Sequence, residues 1–167
     1  MGYRAVPNKG DKYTQGPYTL IHPSKYLGDP THIYFRSSWE FKLYYYMDTN
    51  PRVLHWNVEG ITIPYEIMEN EKWTTNRYYP DCYAEIQKLD GTIQYVAIEI
   101  KPYAETQPPV PPKRNTPKAL ENHEYRQKLF LKNLAKWKTA QDFLKKRGIE
   151  FFIMTEKFFD DKSVKLF

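Results

Sequence analysis

The sequence predicts an α/β domain whose regular elements run helix, strand, strand, strand, helix, strand. Three observations carry that reading. Asp90-Gly91 separates two runs rich in β-formers, which is a strong hairpin signal. An aromatic-rich helical stretch, Ser37–Asp48, precedes the strands, and a long one, Lys118–Arg147, follows them. At 167 residues the chain has the size of one domain with a sizeable core.

The elements follow in order. Met1–Lys25 is polar and punctuated by Gly and Pro, so it reads as an irregular arm carrying Arg4, Lys9, Lys12 and Lys25. The expected organisation is an arm over 1–33, a core over 34–155 and a tail over 156–167. In Ser37–Asp48 the run Ser37-Ser38-Trp39-Glu40 matches a capping box, with Ser37 at the N-cap and Glu40 at N3. Asn50-Pro51 stops the helix. Trp39, Phe41, Leu43, Tyr44, Tyr45, Tyr46 and Met47 make it apolar nearly all round, which predicts burial. Glu40 shares a face with Leu43, Tyr44 and Met47, and a carboxylate there needs a cation or strong donors. Val53–Val58 and Gly60–Ile67 supply strand material interrupted at Glu59-Gly60, and Met68–Asn76 reads as a polar connection. Pro102–Pro117 holds six prolines in sixteen residues and excludes regular structure. Gly148 ends the long helix, Ile149–Thr155 reads as a last strand, and Glu156–Phe167 as a tail.

The central hairpin joins Arg77–Lys88 to Thr92–Ile100. A two-residue turn would put Asp81 opposite Ile100, away from Glu99. A three-residue loop, Leu89-Asp90-Gly91, puts Lys88 opposite Thr92 and Asp81 opposite Glu99. It needs a left-handed residue at its third position, which Gly91 supplies. That register also pairs Cys82 with Ile98 and Ala84 with Val96 on the core face, so it is the one predicted. Asp81, Glu99 and Lys101 then crowd one patch. Adjacent carboxylates repel unless a cation lies between them, and a hard divalent ion suits oxygen ligands. The structural alternative is a sheet-surface Glu99–Lys101 salt bridge.

Composition narrows the partners. The net charge is +5 and the pI about 9.1, which favours an anionic partner. Tyr, Phe and Trp make up 17% of the residues, suited to packing a small core or stacking on bases. The single cysteine, Cys82, excludes an intramolecular disulfide and reads as a core residue. No Cys/His zinc spacing, apolar signal segment or membrane-length run occurs, so a cytoplasmic location is expected. Between Ala119 and Arg147 there are eight Lys/Arg against three Asp/Glu, with Lys128, Lys132 and Lys136 at four-residue spacing. Such a ladder suits phosphate contact as well as a solvated face. Arg36, Lys42, Lys113 and Arg114 are further candidate nucleic-acid contacts.

Pro80-Asp81 followed by Glu99-Ile100-Lys101 resembles the PD-(D/E)xK motif of the restriction-endonuclease-like nucleases. With Glu40 upstream on a helix, the set is most similar to the TnsA-type endonucleases, and within them to the head completion nucleases of tailed phages. The resemblance runs from about Tyr34 to Thr155. It implies a central mixed β-sheet flanked by helices, in the order αβββαβ. It further implies a metal-dependent DNA endonuclease in which Asp81, Glu99 and the Ile100 carbonyl hold one or two Mg²⁺, with Mn²⁺ as a substitute. Glu40 would complete the shell or support a second ion, and Lys101 would position the attacking water. Expected partners are double-stranded DNA and phage head, portal or neck proteins, in the host cytoplasm or the virion. The rival expectation is a non-catalytic DNA-binding or head–tail joining protein on the same fold. A weaker one is a resolvase of branched DNA.

Overall fold

The computed structural model describes residues 15–160. The expected basic arm residues Arg4, Lys9 and Lys12, and residues 161–167 of the expected tail, lie outside the described residues. Strand β1 (Gly16–Pro17) pairs with β2 (Tyr34–Phe35). Helix α1 (Ser38–Thr49) follows, then β3 (Val53–Val58), β4 (Ile63–Glu69), β5 (Lys72–Tyr78), β6 (Cys82–Gln87) and β7 (Ile93–Ile100). Helix α2 (Pro117–Lys145), β8 (Ile149–Met154) and α3 (Glu156–Asp160) complete the described chain.

The main sheet has four strands in the order β3-β6-β7-β8. Its first two pairings are antiparallel and β7–β8 is parallel, so the sheet is mixed. Alternation along β7 sorts the two faces. Val96, Ile98 and Ile100 join Leu43, Tyr44 and Met47 of α1 and Trp56 of β3, whereas Ala97 joins Trp137, Ala140 and Leu144 of α2. The helices thus cover opposite faces, as the resemblance implies. Each fully buried large apolar side chain contributes roughly 1.5–3 kcal/mol. Many tyrosines serve this core: Tyr18, Tyr26 and Tyr44 pack their rings 6.1, 4.9 and 5.6 Å from Trp56.

The β6–β7 hairpin adopts the predicted register, with Cys82 opposite Ile98 and Ala84 opposite Val96. Lys88 N–H donates to Thr92 O, and Gly91 has φ +83°, so the turn is the three-residue loop. Cys82 is buried in the core, as expected.

Four segments differ from the sequence reading. Residues 59–80 do not continue β3. The chain leaves the sheet at Glu59 (φ +49°) and forms a separate β4–β5 hairpin, with Asn70 and Glu71 both at positive φ in its two-residue turn. Met68–Asn76, expected as a polar connection, is therefore mostly strand. Arg77–Lys88 is correspondingly two strands, broken at Tyr79-Pro80-Asp81, because Pro80 cannot donate a ladder bond.

Residues 16–35 are built into the fold rather than forming an irregular arm. Asp48, fully buried at the end of α1, accepts hydrogen bonds from Tyr18 Oη, Ile21 N and His22 N. Lys25 Nζ bonds the Asp48 and Asn50 carbonyls, a cation at a helix C-terminus. The third difference is a 3₁₀ helix, Tyr103–Thr106, in the proline-rich segment expected to hold no regular structure, and the fourth is α3, inside the expected tail. Glu156 accepts a bond from Tyr103 N, and Phe158 and Phe159 pack on the core.

Asp48→Ala removes one acceptor from three donors. The expected loss is roughly 3 kcal/mol of folding stability, with Asp48→Asn milder, read from urea midpoints. Equal midpoints for Asp48→Ala and wild type would show that the N-terminal wrap is not anchored there.

Candidate active site

Asp81 stands where the chain re-enters the main sheet. Its carbonyl accepts from Glu59 N at 3.2 Å, closing the β4–β5 excursion. Its Oδ2 accepts from Ile100 N at 2.6 Å. The corner and the hairpin register together bring it beside Glu99. Glu99 is 5% exposed, and its Oε1 pairs with Lys101 Nζ at 3.2 Å. Its Oε2 is buried without a hydrogen-bond partner, as is Tyr78 Oη. Tyr78 lies near Glu99 but makes no hydrogen bond of good geometry to it. The structure thus brings Asp81, Glu99 and Lys101 together.

Burial dominates the electrostatics. It pushes the Asp81 carboxyl up to about 7, helped by the charges of Glu99 and Glu40 and opposed by the Ile100 N–H and Lys101. Burial also raises Glu99, against Lys101, Tyr78 and Lys136. For Lys101 burial acts downward, but Glu99 and Asp81 outweigh it and its pKa rises.

Glu40 is placed differently. Its N–H donates to Ser37 Oγ, while its carboxylate accepts from Arg36 N at 2.7 Å and Ser37 Oγ at 3.3 Å. It is the helix cap that the local sequence predicts. It arises from α1, on the other face of the sheet, yet its charge reaches Asp81. Among the described residues no three His, Cys, Asp or Glu side chains form a group that could hold a metal, so Asp81 and Glu99 stand as a pair.

The expected DNA-contacting cations are dispersed. Arg36 pairs with Glu59 at 2.9 Å, and Lys42, Lys113 and Arg114 are exposed. Lys128 pairs with Glu124 and Lys132 with Glu69, both at 2.9 Å. Lys136 alone of the ladder turns toward the acidic pair. Its ammonium lies over the Tyr78 ring, 5.7 Å from the centroid, and the charges of Glu99 and Lys101 both act on it. The regular spacing of the ladder concealed this division. Tyr78 was also missed, although its place two residues before Pro80 was a usable signal. A cavity of about 330 Å³ lies elsewhere, between the proline-rich segment and α2, and neither Asp81, Glu99 nor Lys101 lines it.

The Asp81 shift has a sign. An acid whose folded pKa exceeds its unfolded value binds more protons when folded, so stability falls as pH rises through that window. Between about pH 4 and 7 the metal-free protein should lose stability, on the order of a few kcal/mol. Asp81→Asn should flatten that profile and raise the urea midpoint at pH 8. A pH profile unchanged by Asp81→Asn would show that the carboxylate is not held in this way.

The chain is similar to known nucleases. A family model described as "TnsA-like endonuclease N terminal" matches residues 50–156, which include Asp81, Glu99, Lys101 and Lys136 but not Glu40. The head completion nuclease of Enterobacteria phage T4 is 40% identical over 141 residues, covering 84% of this chain and 90% of the phage protein. No solved structure matches the chain. A mixed sheet that sets Asp81 beside Glu99 and Lys101, a family match over most of that sheet and a 40% identical relative together make the chain a member of the TnsA-like N-terminal endonuclease family.

Proposed function

We propose that the protein is a Mg²⁺-dependent DNA endonuclease of low sequence specificity, which trims packaged phage DNA during head completion and head–tail joining. One observation carries the chemistry: two carboxylates, half-buried Asp81 and buried Glu99, lie together, and among the described residues Lys101 alone is ion-paired to them. The viral context rests on the name of the T4 relative.

The residues fit a divalent ion. Glu99 Oε2 is an orphaned buried acceptor, and Asp81 is driven toward protonation by burial and its neighbour. A cation relieves both costs. Mg²⁺ takes one or two carboxylates and keeps waters, so a two-carboxylate site with the Ile100 carbonyl suits it, and Mn²⁺ should substitute. When bound, the ion would lower the pKa of a water and clamp the phosphate. Lys101, held by Glu99, orients that water and meets charge developing on the phosphoryl oxygens. Glu40 acts from outside the pair, through its field on Asp81, while its hydrogen bonds hold the α1 terminus. Arg36, Lys42, Lys113, Arg114, Lys128 and Lys132 supply a diffuse, salt-dependent hold on the backbone. The surface ion pairs of Arg36, Lys128 and Lys132 are worth about 0–1 kcal/mol and exchange readily for phosphate. No element aimed at base edges is assigned, hence the low specificity.

Plasmid nicking with Mg²⁺ against EDTA tests the reading. Lys101→Met should slow cleavage by about 100-fold or more while Mn²⁺ still binds in titration calorimetry. Asp81→Asn should lose both cleavage and metal affinity. A protein that binds duplex DNA but cuts none under either metal would instead be a head–tail joining component without catalysis.

A further inference from the structure

The three lysines of the α2 ladder do not share one environment. Lys128 and Lys132 are bonded to carboxylates at the surface. Lys136 is half-buried and forms no ion pair among the described residues. Its ammonium rests instead on two tyrosine faces, 6.0 Å from the Tyr65 centroid and 5.7 Å from that of Tyr78. Both rings come from the β4–β5 hairpin, and Trp137 beside it is buried on the sheet, so the stem has little freedom. Tyr78 is also the neighbour of Glu99, which puts Lys136 on the border of the acidic pair, within reach of the charges of Glu99 and Lys101.

A charge count shows what such a cation does. Asp81 and Glu99 carry two negative charges when ionised, and Lys101 offsets one. The divalent ion of the proposed function turns the cluster net positive, and hydrolysis of a phosphodiester then gathers further negative charge on the phosphoryl oxygens. Lys136 brings the protein groups to neutrality, and a half-buried ammonium acts more strongly than an exposed one. Burial and Lys101 both lower its pKa, while Glu99 opposes them.

We propose that Lys136, held over Tyr65 and Tyr78, is a second catalytic cation of the nuclease site and contacts the scissile phosphate. This assignment rests on the endonuclease reading. It separates Lys136 from its ladder neighbours, which hold the DNA backbone away from the reaction.

Lys136→Met keeps most of the stem and removes the charge. At saturating duplex DNA its kcat should fall by about 100-fold, as when one transition-state donor is lost, with KM changed less than about threefold. Mn²⁺ affinity, read by calorimetry, should stay equal or tighten, because a cation beside the metal site has gone. Lys132→Gln, one turn earlier, should lose in KM and salt dependence. If Lys136→Met melts below the assay temperature, Lys136→Gln is read in its place. Wild-type kcat in the variant overturns the assignment. So does a fall in kcat matched by an equal loss of Mn²⁺ affinity, which would make Lys136 a structural prop. A wild-type protein that cuts nothing with Mg²⁺ or Mn²⁺ removes the endonuclease reading and this assignment together, whereas full cleavage by both proteins removes this assignment alone.

Discussion

Asp81 is held on both sides by backbone: Glu59 N–H donates to its carbonyl and Ile100 N–H to its carboxylate. Most of what is distinctive in the structure follows from this double tether. It closes the β4–β5 excursion, so the inserted hairpin begins and ends at one point on the sheet. It starts β6 in the register that buries Cys82 and Ala84. It also forces two carboxylates together in a place where water is scarce. Folding alone would not favour that arrangement, since burial raises both pKa values and one carboxylate oxygen has no partner. A cation placed between the two carboxylates would relieve both costs.

The two helices act on this cluster from opposite faces of the sheet. Helix α1 is an anchor. Its N-terminus is capped by Ser37 and Glu40, and its C-terminal end gathers the preceding segment through Asp48 and Lys25. Its influence on Asp81 is through the field of Glu40. Helix α2 is a different kind of element. Its C-terminal half is buried by Trp137, Ala140 and Leu144, whereas Leu120, Tyr125 and Leu131 in its first half are exposed. The boundary between the halves falls at Asn133–Trp137, where Lys136 meets the tyrosines of the inserted hairpin. Packing, not charge spacing, therefore decides which lysine approaches the acids.

The inserted hairpin links these parts. One of its faces, with Ile63, Tyr65 and Tyr78, packs against α2, and its last strand runs directly into Tyr79-Pro80-Asp81. A change in how α2 sits on the hairpin would be felt at Asp81 through three residues of chain. That coupling explains why Tyr78 combines a core position with a place beside Glu99.

Much of the fold and part of the site were legible in the residues themselves. Local rules determined the capped α1, the glycine-ended α2 and the Leu89–Gly91 loop, because each depends on contacts within a few residues. The loop in turn set the register that opposes Asp81 to Glu99, a long-range consequence of a local turn. The second strand of the β4–β5 hairpin was missed because Lys72, Thr74, Thr75, Asn76 and Arg77 read as a polar run, and the positive-φ pair Asn70-Glu71 lacks the glycine that usually signals such a turn. Residues 16–35 looked like a loose arm because their anchor, Asp48, lies far along the chain. Tertiary structure alone decided that Glu40 stays outside the Asp81–Glu99 pair, and that Lys136 leaves its ladder for the border of that pair. Those outcomes depend on which faces of separate elements meet. Periodicity in one segment carries no information about the element that will pack against it.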